Sequence, residues 1–137
     1  MKIQRFLITL LCFILLIGVA GCGSSKLAEG FVEDDLRQAA EGIIDNINQA
    51  NADGIREICT TEVKAALTDE VMTQIFKDIS AAGKYEKIED MSIAGVKGPD
   101  GKSNFAVVVA KAKYASKSFI YTISFNEAME LAGLYYK

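Results

Sequence analysis

Cysteine, tyrosine and the acidic residues are the side chains here that could carry chemistry, since the 137 residues contain no histidine. A cysteine nucleophile needs a base to produce its thiolate, and a structural zinc site needs several thiolate or imidazole ligands. We therefore expect neither a metal nor another cofactor. Cys59 is predicted to be a small buried hydrophobic residue, because Ile55 and Ile58 lie beside it in the sequence.

A second cysteine, Cys22, stands at the end of an export-like segment. Lys2 and Arg5 precede an apolar run from Phe6 to Val19. A run of about 14 residues is shorter than the roughly 20 that a membrane-spanning helix needs, so a signal peptide is favoured. Val19-Ala20-Gly21-Cys22 resembles the lipobox of bacterial lipoproteins. That resemblance implies a diacylglyceryl group on Cys22 and cleavage just before it.

These segments predict the domain organisation and the compartment. We interpret residues 1–21 as a lipoprotein signal peptide, residues 22–30 as the lipidated cysteine with a flexible tether, and residues 31–137 as one domain. The expected location is the extracytoplasmic face of the cell membrane, with the lipid bilayer as a partner through the acyl anchor. Loss of Lys2 and Arg5 leaves 13 of the 15 basic residues against 18 acidic ones, a net charge of −5. Such a charge argues against a nucleic-acid partner.

The periodicity of the mature chain predicts helices first and strands afterwards. Leu36, Ala40, Ile43, Ile44 and Ile47 share one face of a helix that is broken at Asn51-Ala52-Asp53-Gly54. Thr68 caps a second long helix, whose apolar stripe is Val71, Ile75 and Ile79, and Gly83 ends it in a left-handed conformation. Four segments then have strand patterns: residues 85–96, 105–114, 119–125 and 131–136. This segregation predicts an α+β fold with the helices packed on a curved antiparallel sheet of about four strands.

The third predicted strand indicates which face of the sheet is buried. Phe119, Tyr121, Ile123 and Phe125 alternate with Thr122 and Ser124. We predict that the four large side chains face the helices, and that Thr122, Ser124, Lys111 and Lys113 lie on the opposite face. The alternative is that the aromatic face is exposed and pairs with a second copy of the chain.

Several short motifs point to a known family. They are Leu67-Thr68-Asp69-Glu70, Gly83-Lys84-Tyr85 and Ala132-Gly133-Leu134-Tyr135-Tyr136. Together they resemble the bacterial domain of unknown function 3887, a family of the nuclear transport factor 2-like (cystatin-like) superfamily. The resemblance implies a cone-shaped cavity between helices and sheet, and a sheet through which two copies can form a homodimer. The residues expected to line the cavity are Phe76, Tyr85, Tyr114, Tyr121 and Tyr135.

Two functions remain open from the sequence. The first is a non-catalytic module that binds a small apolar ligand or a protein. The second is a small lyase or isomerase, which would need a tyrosine and a carboxylate of tuned pKa together in the cavity. Glu89 and Asp90 in the first strand are candidate carboxylates. Alternatively, these acids face the solvent and the tyrosines only line the edge of the core.

Overall fold

The computed structural model describes residues 25–137 and consists of four helices followed by a four-stranded antiparallel sheet. The predicted signal peptide and Cys22 lie outside the described residues. Within them, no helix combines the length and the apolar character needed to cross a bilayer. The helices are α1 (Glu33–Asn48), α2 (Ala52–Glu57), α3 (Thr61–Ala66) and α4 (Asp69–Ser80), and the strands are β1 (Tyr85–Lys97), β2 (Asn104–Tyr114), β3 (Ser118–Phe125) and β4 (Leu131–Tyr136).

The predicted α+β class is confirmed: the sheet is a simple meander with the order β1-β2-β3-β4. Its inner face is buried under α1 and α4. Phe119, Tyr121, Ile123 and Phe125 all lie on this face and are buried, as the alternation of β3 predicts. Thr122 and Ser124 point to the outer face, so the aromatic face belongs to the core.

The helices differ from the prediction in two details. The first helix ends at Asn48, and Ala52 to Gly54 form the start of α2, because the Asn51 side chain accepts a hydrogen bond from the Gly54 amide and caps that helix. In α4 the core-facing residues are Met72, Ile75 and Ile79. Val71 is 41% exposed, so its place in the predicted stripe was wrong. Thr68 caps α4 as predicted, and Gly83 has a φ of +85°.

Both edges of the sheet are partly covered by other segments of the chain. At the β1 edge, the Ser25 carbonyl accepts a hydrogen bond from the Gly95 amide over 2.8 Å. At the β4 edge, Leu131 donates its amide to the Ile58 carbonyl over 2.7 Å and accepts from the Thr60 amide over 3.0 Å. These contacts fix the N-terminal segment at one edge of the sheet and the α2–α3 connection at the other.

A candidate ligand-binding cavity

A cavity of about 590 Å³ opens where the C-terminal ends of α1 and α4 meet the start of β1. Small-molecule sites are typically 300–1,000 Å³ and mostly apolar, with a few polar groups. The walls match that description. Apolar contacts come from Ile47, Ala50, Phe76 and Ile79, and polar groups come from Asn48, Lys77, Ser80, Lys84, Tyr85 and Tyr114, with Gly83 completing the wall.

The end of α1 forms one side of the cavity through a Schellman motif. The Asn51 amide donates to the Asn46 carbonyl over 2.8 Å, and the Ala50 amide donates to the Ile47 carbonyl over 3.1 Å. Ala50 occupies the left-handed position of this motif with a φ of +53°, where glycine is the usual residue. The motif stops α1 at Asn48, so the Asn48 side chain lies in the cavity wall.

A chain of hydrogen bonds leads from Asn48 into the core. The Tyr114 hydroxyl donates to Asn48 Oδ1 over 2.7 Å, and it lies 2.7 Å from the Tyr121 hydroxyl, which donates to it in turn. Burial raises the pKa of Tyr114 and strongly raises that of Tyr121. Both hydroxyls are therefore neutral hydrogen-bonding groups at physiological pH. Asn48 Nδ2 is enclosed and has no partner among the described residues.

Tyr85 and two lysines line the cavity toward the solvent. The Tyr85 ring lies edge-on to Tyr114, with 5.5 Å between ring centroids. Partial burial, followed by the charges of Asp45 and Glu41, raises the pKa of Tyr85. Neither carboxylate is part of the wall, whereas Lys77 and Lys84 are. The wall thus offers cationic and neutral hydrogen-bonding groups to a ligand.

A second polar anchor, which the sequence did not predict, joins β4 to α4. The Tyr136 hydroxyl donates to Asp78 Oδ2 over 2.8 Å and links β4 to α4. Burial, with help from the Asp78 carboxylate, raises the pKa of Tyr136 to about 12. This tyrosine–carboxylate pair lies outside the cavity wall. Tyr136 is also 6.5 Å from Tyr121 between ring centroids, so the aromatic cluster continues from the cavity into the sheet.

The structure brings together only some of the residues that the sequence singled out. Phe76, Tyr85 and Tyr114 line the cavity, and Tyr121 lies behind Tyr114 in the core. Tyr135 is on the outer face of the sheet and is 72% exposed.

The carboxylates singled out in β1 lie away from the cavity. Glu89 pairs with Lys111 over 3.1 Å, which lowers the pKa of its carboxyl, and Asp90 is exposed. Asn48 was not predicted as a site residue, because a polar residue near the end of a helix does not by itself indicate a binding site.

Acidic groups gather instead at the opposite end of the sheet. A second depression, of about 580 Å³, is lined by Glu62, Glu127, Asn104 and Phe105 among others, and no tyrosine belongs to it. Glu127 Oε1 accepts a hydrogen bond from Asn104 Nδ2 over 2.5 Å. Across residues 25–137, no three acidic or thiol side chains lie close enough to form a metal site.

Comparisons with known proteins concern the family and the fold. The family model described as "Protein of unknown function (DUF3887)" matches residues 40–134. No curated protein gives a significant match. An NMR structure of a protein from Ruminococcus gnavus ATCC 29149 is similar, with a TM-score of 0.71 and 19% identity, over 81% of this chain and 96% of that one. At this identity the likeness shows a shared fold, and a shared fold does not define a function.

Proposed function

This chain belongs to the DUF3887 family of proteins of unknown function, and we propose that it is a lipid-anchored, extracytoplasmic binding module without catalytic activity. Its ligand is a small amphipathic molecule held in the cavity between α1, α4 and β1. We also assign the domain to the nuclear transport factor 2-like superfamily. That assignment is supported by the order of helices and strands and by the position of the cavity between them.

The observation that carries the binding proposal is the composition of the cavity wall. Phe76, Ile79 and Ile47 offer an apolar surface, while Lys77 and Lys84 offer positive charge. A ligand with an apolar body and a carbonyl or carboxylate group complements such a wall. Among residues 25–137, Asn48 Nδ2 is buried without a hydrogen-bond partner, and a buried donor without a partner is costly. The same ligand oxygen could supply that partner if the Asn48 side chain turned toward the cavity.

The alternative, a lyase or isomerase, needs a tyrosine and a carboxylate in one site. Tyr85 and Tyr114 line the cavity, while Glu62 and Glu127 line the depression at the other end of the sheet. Asp45 and Glu41, whose charges add to the effect of burial in raising the pKa of Tyr85, are outside the cavity wall. This separation favours the binding module. The sequence also left open a protein partner in place of a small ligand. The cavity supports the small ligand and gives no support to a protein partner.

The ligand is tested by native mass spectrometry of the mature protein purified from membranes of its own host. We expect a retained small molecule in the wild type. Ser80→Trp places an indole in the cavity wall and should remove that mass. Gln38→Trp, a matched substitution on an exposed site of α1, should keep it. No bound mass in the wild type, or a mass retained in Ser80→Trp, would refute the binding proposal.

Catalysis is tested on the recovered molecule. Incubation with fresh protein should leave its mass and its chromatographic behaviour unchanged. Conversion that Tyr85→Phe abolishes would establish the lyase or isomerase alternative instead.

The anchor is tested separately at Cys22. The box Val19-Ala20-Gly21-Cys22 motivates this part of the proposal. Cys22→Ser should accumulate as an unprocessed precursor, while Cys59→Ala should be processed as the wild type is. The N-terminal peptide of the mature wild type should carry the mass of a diacylglyceryl group. Normal cleavage and membrane retention of Cys22→Ser would contradict the proposed lipidation.

A further inference from the structure

We infer that the outer face of the sheet lies against the bilayer at the end where Val96 and Phe105 are paired. The partner is the membrane that holds the acyl chains of Cys22, so this inference rests on the lipidation proposed above. It adds an orientation of the domain on the membrane, which lipidation by itself does not define.

The chain enters the domain at the end of β1 that carries Val96. Ser25 is fixed to the β1 edge by the 2.8 Å hydrogen bond from the Gly95 amide. Gly95 allows this approach, because a Cβ at this position would overlap the backbone carbonyl of Lys26. Ser25 lies three positions after Cys22, and three extended residue steps span at most about 11 Å. An acylated Cys22 therefore holds this end of β1 close to the lipid headgroups.

The polarity of the outer face changes along the strands. On β1 and β2, the outer face near the entry point consists of Ala94, Val96, Phe105 and Val107, and Val96 is 47% exposed. Ser124 lies beside Val107 on β3, and Phe105 also borders the depression that Glu62 and Glu127 line. Exposed apolar surface next to an anchor gains free energy by entering the interfacial region of a bilayer.

The far end of the same face carries two ion pairs, which lie in water. Lys111 pairs with Glu89 and Lys113 pairs with Glu86, each over 3.1 Å. Charged groups are costly to remove from water, so this end should point away from the membrane. Lys87 lies there, nine residues before Val96 on β1, and nine strand residues span about 30 Å. The β1–β2 part of the outer face is thus amphipathic along the strand direction.

The hairpin between β1 and β2 presents the apolar end in a fixed shape. Asp100 Oδ1 accepts hydrogen bonds from the amides of Lys102 and Ser103, each over 2.8 Å. The Ser103 hydroxyl also donates to Asp100 Oδ2 over 2.5 Å. This bond, followed by the two amide bonds, lowers the pKa of Asp100 to about 2. Lys97 and Lys102 are therefore accompanied by a permanent negative charge. We expect the contact to depend on apolar burial rather than on anionic lipid.

The experiment uses the absence of tryptophan from the sequence, because one introduced indole is then the only one present. Val96→Trp and Lys87→Trp are made in the full-length chain, and the mature proteins are purified from membranes and placed in phosphatidylcholine vesicles. Lipids brominated on the acyl chains quench indoles that reach the hydrocarbon boundary. We expect loss of emission for Val96→Trp, unchanged emission for Lys87→Trp, and the same result after anionic lipid is added.

A second variant tests the role of the tether. Gly95→Ala, made together with Val96→Trp, displaces Ser25 from the β1 edge and should reduce the quenching while the protein still floats with the vesicles. The control is Gly42→Ala, also made together with Val96→Trp. Its new methyl group has open space around it, so the quenching should stay unchanged. Equal reduction in both variants would show that the tether contact does not set the orientation.

The remaining outcomes separate this inference from the proposed function. If the protein carries lipid and floats, but Val96→Trp is quenched no more than Lys87→Trp, the orientation is refuted and the anchor stands. If Val96→Trp is shielded and the protein sediments as a dimer, the outer face is an interface between two copies, and the orientation is again refuted. If Cys22 carries no lipid and the protein does not float, the anchor and the orientation fail together.

Discussion

Replacing Tyr114 with phenylalanine removes one oxygen atom that serves two hydrogen bonds. Its hydroxyl donates to Asn48 Oδ1 and accepts from the Tyr121 hydroxyl, each over 2.7 Å. Tyr121 is fully buried and Tyr114 nearly so, so water cannot replace the lost partner at Tyr121. A buried polar group left without a partner costs about 1–3 kcal/mol. Because two partners are orphaned, we expect Tyr114→Phe to destabilise the domain by about 2–4 kcal/mol.

Tyr121→Phe removes the other end of the same pair and should cost much less. The Tyr121 hydroxyl bonds only to Tyr114 among the described residues, and Tyr114 keeps its bond to Asn48. Only one ordinary hydrogen bond is lost, which is worth about 0.5–1.5 kcal/mol. In the double variant the orphaned Tyr121 hydroxyl is also absent. The double variant should therefore lose no more free energy of unfolding than Tyr114→Phe alone.

Urea denaturation of residues 25–137, followed by circular dichroism, measures these differences as shifts of the midpoint at constant slope. Tyr135→Phe is the control, because that ring is 72% exposed and should change the free energy of unfolding little. The reasoning is refuted if Tyr121→Phe costs as much as Tyr114→Phe, or if the two losses add fully in the double variant.

Four further predictions follow from the core and the helix ends. Phe125→Ala should cost about 3–5 kcal/mol in urea denaturation at every protein concentration, and Thr122→Ala little; a wild-type midpoint for Phe125→Ala in dilute solution would contradict its burial. Cys59, whose pKa is raised by burial, should react slowly with a thiol reagent until the protein is denatured, and rapid labelling of the native protein would disprove this. Ala50→Gly relieves a left-handed alanine and should raise stability by about 0.5–1 kcal/mol, whereas a lower thermal midpoint would argue against strain there. Stability should fall as the pH rises from 10 to 12, because Tyr136 ionises at its ordinary pKa of 10.0 when unfolded and at about 12 when folded; the fall should be smaller in Tyr136→Phe.

The fold was predictable because local patterns and tertiary packing agree. The alternation in β3 identified the buried face, and the turn around Pro99 identified the hairpin. The prediction that Val71 faces the core was wrong because the apolar stripe of a helix spans neighbouring positions. Met72, the next residue, faces the core instead. The helix break was placed too late because Asn51 acts as an N-cap, and an asparagine next to a glycine is also typical of a turn.

The candidate site was predictable only in part. The family resemblance implied a cavity, and Tyr85 and Tyr114 of the predicted strands were expected to line it, as both do. Tyr135 was chosen by the same argument, but the alternation of β4 places it on the outer face. Asn48 and Asp78 could not be found from the sequence, because their partners are 66 and 58 residues away. Only the packing of the helices on the sheet brings such pairs together.

An open sheet has two edges that can accept a foreign strand, and other segments of this protein cover part of each. The Ser25 carbonyl accepts a hydrogen bond from the Gly95 amide on β1, and the α2–α3 connection forms hydrogen bonds with both the amide and the carbonyl of Leu131 on β4. The rest of the β1 edge carries exposed charged side chains, namely Glu86, Lys87, Glu89 and Asp90, which disfavour pairing with another chain. The N-terminal segment therefore protects against edge-to-edge aggregation. Chains shortened past Ser25 should be more prone to form fibrils or domain-swapped species than chains that retain it.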